Sequence, residues 1–320
     1  MKKMLFTLKA FAFALFISTC QGGGTTPNFD SIITGRCFDF QQFIEKRDIA
    51  ELKVTVNCTL MLNRLKKAFA WKNHQCPSNV TQSDYAPMFD TIKNRQKLEN
   101  KVLLWTGTKD VAHDFSHVND NYVTLEDTFA GYIADELTWC GCSACLKSDG
   151  IDYETCETSD RKCDQSTPYW SMASKRFAEK AAGKVYVLLN GTNERNPYSP
   201  RSIFRTVELP AMNETRTVKH LSVLIISSFN RTIRTTCQSE VIASLTSDAK
   251  SAGMKVTCND NPRYVIHNLY YCAIVCQYEV VPLKLVHKSL YSCEHREAHD
   301  FLMNDFAGTV KIKSKKSYAL

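Results

Sequence analysis

A chain of 320 residues, 44% of them hydrophobic, is long and apolar enough to bury a substantial core, which excludes a disordered or fibrous polymer. Its 40 Lys and Arg against 33 Asp and Glu give a formal charge of +7. No Lys/Arg stripe with interleaved aromatics runs along it, which argues against nucleic acid as a partner, while the mild positive balance suits a small anionic ligand.

In chain order, Lys2 and Lys3 precede an apolar stretch over residues 4–17 that only Lys9 interrupts, and small residues follow at Ser18, Gly22, Gly23 and Gly24. This is the order of a secretory signal peptide, expected over residues 1–24. The apolar stretch falls short of the ~20 residues of a spanning helix, so no transmembrane anchor is expected in the mature chain. Loss of Lys2, Lys3 and Lys9 with that segment lowers the +7 to +4. Residues 38–52 and 60–69 read as helices on either side of Cys58, with Pro77 and Pro87 as breaks beyond them. A short apolar run, Leu103-Leu104-Trp105-Thr106, ends in a turn signal at Gly107. Pro168 opens a further helix and Gly183 is expected to stop it.

After Gly183 the period changes. Residues 184–189, 203–209, 221–227 and 255–258 read as strands, and residues 236–252 as a helix that Gly253 stops. Strands alternating with helices argue for a small, mainly parallel sheet. The expected fold class is α+β: a mainly helical domain over residues 25–183 and a parallel-sheet α/β domain with flanking helices over residues 184–300. A basic tail, residues 301–320, carries Lys311, Lys313, Lys315 and Lys316 without the apolar end of a lipid-anchor signal.

The most specific stretch is the run Val-Thr-Leu-Glu-Asp-Thr-Phe-Ala-Gly-Tyr-Ile-Ala-Asp-Glu-Leu-Thr-Trp-Cys over residues 123–140. Leu125, Phe129, Tyr132, Ile133 and Leu137 recur at helical spacing, and Thr124 with Asp127 reads as a capping pair at the start of a helix. Glu126 and Asp127 would then lie in its first turn, where the helix dipole favours negative charge. This run closely resembles the signature of the animal ADP-ribosyl cyclase and NAD glycohydrolase family. The resemblance extends to Leu103-Leu104-Trp105, to the helix from Tyr169 onward with Trp170, Ser174 and Phe177, and to the run from Ser202 through Phe204 to Glu208. It implies a helical N-terminal part, a parallel-sheet C-terminal part and an active site between them. The implied activity is cleavage of the nicotinamide–ribose bond of NAD, with NADP as the related dinucleotide. NAD is then the substrate and no cofactor is expected, which agrees with the lack of any Gly-x-Gly-x-x-Gly after a strand.

Nicotinamide departs neutral, so its release needs little acid catalysis; the ribosyl cation left behind needs a carboxylate. Glu208 fits that role, because it matches the family's catalytic segment and is expected to close a strand. Glu126 is the second catalytic carboxylate, and the resemblance assigns Glu126 and Asp135 to the nicotinamide carboxamide, with Asp127 beside them. Nine residues at about 100° each would turn Asp135 roughly half a turn away from Glu126 on an ideal helix, which lowers its standing. Trp105 and Trp170 match the family's aromatic walls, and Ser174 shares a helix face with Trp170. Thr106, Ile203 and Phe204 complete the implied binding residues. Gly107 stands where some relatives place an arginine, and Ile203 where some place a threonine.

Of fourteen cysteines, Cys20 lies in the signal segment and the thirteen behind it indicate oxidising chemistry. The resemblance implies pairs Cys37–Cys58, Cys76–Cys163, Cys140–Cys156 and Cys237–Cys258, with Cys272 joined to Cys276 or Cys293. Cys142 and Cys145 depart from the family pattern; a zinc site is the competing reading, and no metal is expected. Sequons at Asn57, Asn79, Asn190, Asn213 and Asn230 fit a glycoprotein that is secreted or held in the lumen of secretory granules. A homodimer is left open. The alternative to an enzyme is a glycosylated binding protein that keeps the fold without turnover, and a carbohydrate glycosidase using both glutamates is the third reading.

Overall fold

The computed structural model describes residues 23–46, 50–72, 76–94, 96–118, 121–143, 149–192, 196–227 and 231–266. Residues 1–22 of the expected signal segment, the basic tail, Cys145, Cys272, Cys276, Cys293 and Asn230 lie outside them.

The first half is helical: α1 (Phe29–Lys46), a 3-10 turn (Ala50–Leu52), α2 (Cys58–Phe69) and α3 (Gln82–Phe89). Two short strands, β1 (Leu98–Glu99) and β2 (Leu103–Thr106), then lead into α4 (Lys109–Val118), α5 (Phe129–Ala134) and α6 (Thr167–Lys180). The second half continues with β3 (Ala181–Asn190), a π-helical turn (Phe204–Glu208), α7 (Leu209–Thr215), β4 (Val218–Ile226), α8 (Glu240–Ser251) and β5 (Lys255–Asp260). The mixed helix and parallel-sheet class is as expected.

All strand pairings in the sheet are parallel, in the order β1-β3-β4-β5, and β2 pairs with β3 further along its length, Trp105 opposite Leu188. Alternation along the strands sorts the core into two. Val185, Val187 and Leu189 join the larger cluster with the helices of the first half, whereas Leu188, Leu224 and Leu103 face Val111, Ala112 and Phe115 of α4. In the larger core Trp139 Nε1 donates to the Tyr85 hydroxyl at 2.8 Å, and Tyr85 donates on to the Gln165 carbonyl at 2.8 Å. Tyr169 donates to the Ala130 carbonyl at 2.7 Å, fixing α6 against α5.

Several elements differ from expectation. The strand over residues 203–209 is absent; its β-branched residues are wound into the π-helical turn, with Leu209 N–H bonded to Phe204 O. Two features override β propensity there: Ser202 caps the turn, accepting Arg205 N at its hydroxyl (3.2 Å) and Thr206 N at its carbonyl (3.0 Å), and Pro210 opens α7 with a preset φ. Helix α1 begins earlier than residue 38, and α8 begins at Glu240. Pro87 sits inside α3. Gly183 does not stop α6, which ends at Lys180; it lies in β3 at a bulge with φ +66°, where a Cβ would meet Glu99 Oε1 at 2.2 Å.

The four pairs Cys37–Cys58, Cys76–Cys163, Cys140–Cys156 and Cys237–Cys258 are closed as disulfides. Cys142 is also disulfide-bonded, which removes it as a zinc thiolate. No helix among the described residues is long and apolar enough to cross a membrane. Asn57, Asn79 and Asn213 are exposed, whereas Asn190 is half-buried and its Nδ2 donates to the Gly107 carbonyl at 3.1 Å.

Candidate active site

A cavity of about 470 Å³ opens beyond the C-terminal end of β2, within the usual range for small-molecule sites. Trp105, Thr106 and Gly107 come from that strand end, Glu126 and Leu125 from the turn before α5, Trp170, Ser174 and Phe177 from α6, and Ile203, Phe204 and Glu208 from the π-helical segment. Trp105 rests on the α4 core and Trp170 on the larger core, so each half of the sheet's packing supplies one aromatic. Trp170 and Ser174 share a face of α6 as their spacing predicts.

The helix expected from Thr124 begins later. Thr128 is the N-cap of α5, accepting from Gly131 N at 3.3 Å, so Glu126 and Asp127 precede the helix and do not sit in its first turn. They occupy a tight turn closed by the Asp127 carboxylate, whose Oδ2 accepts from Thr124 N (2.8 Å) and the Thr124 hydroxyl (2.9 Å). Asp127 does not line the cavity. Gly131 lets α5 lie directly on this turn, since a Cβ there would stand 2.1 Å from the Leu125 carbonyl oxygen and 2.6 Å from Glu126 Cα. Asp135 is the C-cap of the short α5, with ψ 135°, so the half-turn objection lapses and Asp135 and Glu126 line one cavity.

Glu126 is only 8% exposed, and Trp105 Nε1 donates to its Oε2 at 3.1 Å. His113 Nε2 approaches the same oxygen to 3.2 Å without the alignment of a hydrogen bond, so the contact is an ion pair more than a directed bond. Burial disfavours the charged imidazole, but Glu126, then Asp127 and Asp135, outweigh it and raise the pKa of His113. Lys109 Nζ lies 2.7 Å from Asp135 Oδ1 and 3.7 Å from Glu136 Oε1. Burial opposes its charge as well, yet these carboxylates shift its pKa upward.

Glu208 is 7% exposed, and its pKa is pushed up to about 8: burial contributes most, the Glu126 charge next, and a Ser174 hydrogen bond pulls the other way. A carboxyl so placed is poised to change protonation with the charge of whatever enters.

Sequence reasoning missed Lys109, His113, Glu136, Arg161 and Ser202. The signal for the first two was present: Lys109, His113 and His117 recur every four residues, one polar face of α4 opposite Val111, Ala112 and Phe115. Nothing local marks Arg161, which reaches the cavity from a loop.

A family model described as ADP-ribosyl cyclase matches residues 26–274. The chain is 32% identical over 249 residues to the ADP-ribosyl cyclase/cyclic ADP-ribose hydrolase 1 of Rattus norvegicus, covering 77% of each chain. It is 31% identical to the ADP-ribosyl cyclase/cyclic ADP-ribose hydrolase of Aplysia californica, covering 78% of this chain and 86% of that one. Among solved structures it is similar to Aplysia cyclase complexed with the substrate NGD and the product cGDPR, with TM-score 0.66 and 26% identity over 81% of this chain and 96% of that one. It is likewise similar to porcine CD38 with a covalent intermediate, ribo-F-ribose-5'-phosphate, with TM-score 0.64 and 29% identity over 75% of this chain and 98% of that one. The chain belongs to the ADP-ribosyl cyclase family.

Proposed function

We propose that this chain is an exported enzyme that cleaves the nicotinamide–ribose bond of NAD and yields cyclic ADP-ribose, ADP-ribose or both. The observation that carries the reading is the buried Glu208 carboxyl in a cavity that also holds Glu126, Trp105, Trp170 and Ser174. Burial keeps Glu208 protonated up to about pH 8 when no cation is near. A nicotinamidium ring brought beside it favours the carboxylate, so the charge appears where the ribosyl cation forms. Glu126 accepts the carboxamide N–H, Asp135 assists it, and Trp105 and Trp170 stack on the ring and on the folded-back nucleotide. Glu208 then stabilises the cation, by its field or by covalent capture, while neutral nicotinamide leaves. Adenine or water attacks next, and the two products share one intermediate. The closed disulfides support export to an oxidising compartment.

Incubation of the purified chain with NAD, followed by chromatography of the products, tests this. Release of nicotinamide with matching ADP-ribose products is expected. Binding of NAD without release would favour the binding-protein reading.

A further inference from the structure

The cavity has a charge imbalance. Glu126, Asp135 and Glu136 line it beside Glu208, whose burial holds its carboxyl neutral, against Lys109 and Arg161 as the lining cations. Lys109 is held by two of those carboxylates, at 2.7 and 3.7 Å. A dinucleotide brings about two further negative charges on its diphosphate, which this lining would repel unless a cation meets them. Arg161 is exposed, unlike the buried Glu126 and Glu208, and among the described residues it has no carboxylate partner.

Arg161 is also fixed in place. Its Nη1 donates to the Arg201 carbonyl at 2.8 Å, tying its loop to the segment that carries Ser202, Ile203 and Phe204. Cys156 and Cys163 bracket it, each in a separate disulfide, to Cys140 and to Cys76. One bond to a carbonyl leaves most of the guanidinium's donors unused, and a guanidinium matches phosphate oxygens two at a time. A cation held by two bridges and a backbone bond loses little freedom on binding.

We propose that Arg161 anchors the diphosphate of the substrate, so that the site selects diphosphate-bearing nicotinamide dinucleotides over the nicotinamide nucleoside. This rests on the reading of the cavity as an NAD-cleaving site. The test compares the wild-type chain with Arg161→Gln and Arg161→Lys, measuring kcat and KM for NAD and for nicotinamide riboside, which has no phosphate. Arg161→Gln is expected to lower the ratio of kcat/KM for NAD to that for nicotinamide riboside about tenfold, mainly through KM, with Arg161→Lys recovering part. An unchanged ratio, or equal losses on both substrates, overturns the assignment.

Calorimetric titration with ADP-ribose separates this from failure of the enzymatic reading. Wild-type binding that weakens about tenfold in Arg161→Gln upholds the anion subsite even in a chain without turnover. Equal binding by both, or none by the wild type, rejects it.

Discussion

The indole N–H of Trp105 donates to Oε2 of Glu126 at 3.1 Å, so the indole ring and the carboxylate beside it are one unit. His113 adds a second contact to the same oxygen, at 3.2 Å. Among the described residues no protein hydrogen bond reaches Glu126 Oε1, which leaves that oxygen to a ligand. Trp105→Phe keeps a ring and deletes the donor. A hydrogen bond to a charged group contributes about 1.5–3 kcal/mol, so kcat/KM for NAD should fall roughly ten- to a hundredfold. Steady-state kinetics of nicotinamide release read this, and a Trp105→Phe variant as active as the wild type would detach the indole from the carboxylate.

Stability should depend on pH through two groups of the same sign. The Glu208 pKa is raised to about 8, so the folded state binds a proton that the unfolded state has lost above about pH 4.5. Its penalty is absent below that value, grows as pH rises, and is complete above pH 8. His113, also raised, stabilises fully below its unfolded value, and that contribution is lost as pH rises through the folded value. Glu208→Gln should therefore raise Tm at pH 9, by on the order of a few kcal/mol of stability, and leave it unchanged near pH 4. Across pH 4 to 9, His113→Gln should flatten the fall of Tm on the side above the histidine's unfolded value. Thermal melts across that range decide both, and a Glu208→Gln variant less stable than wild type at pH 9 would contradict the burial argument.

Gly131 supports the site through its missing side chain. A Cβ would stand 2.1 Å from the Leu125 carbonyl oxygen, so Gly131→Ala must push α5 off the turn that presents Glu126. A loss of about 1–3 kcal/mol in stability and a lower kcat/KM are expected. Gly35, exposed in α1 where a Cβ would meet nothing within 4 Å, is the control. Gly35→Ala should be neutral or stabilising by about 0.5–1 kcal/mol. Equal melts for the two variants would remove the packing explanation.

On the proposed reaction, Ile203 is the residue expected to bear on product choice. It lines the cavity as an apolar, half-buried side chain on the segment that carries Glu208. Ile203→Thr would place a hydroxyl there that can order water, and is expected to raise the ratio of ADP-ribose to cyclic ADP-ribose. The ratio at early time points, before the cyclic product is hydrolysed, is the readout. A lowered or unchanged ratio counts against Ile203 as the residue that limits water.

Where a run of apolar residues had one periodicity, the sequence was readable. Strand β4 is buried from Leu221 to Ile226 and β3 at Val185 and from Val187 to Leu189, and the Trp170–Ser174 face followed from helical spacing alone. The errors came where short-range bonds outweighed propensity. Ile203, Thr206 and Val207 look like a strand, but Ser202 and Pro210 wind them into the turn that carries Glu208. Thr124 and Asp127 do form a capping-type pair, yet it closes a turn, and Thr128 starts the helix three residues beyond Leu125. That shortening brings Asp135 to the same cavity as Glu126, against the arithmetic of an ideal helix. Arg161 could not be read at all, because two long-range disulfides and a bond to Arg201 place it.

The central claim concerns the Glu208 carboxyl, and Glu208→Gln tests it most directly when nicotinamide release and NAD binding are measured on the same preparation. The variant keeps size and hydrogen-bonding capacity while losing the charge that develops beside the ribosyl cation. Wild-type chain should release nicotinamide from NAD, and Glu208→Gln should bind NAD with similar affinity and release essentially none. Release by Glu208→Gln at the wild-type rate would contradict the account.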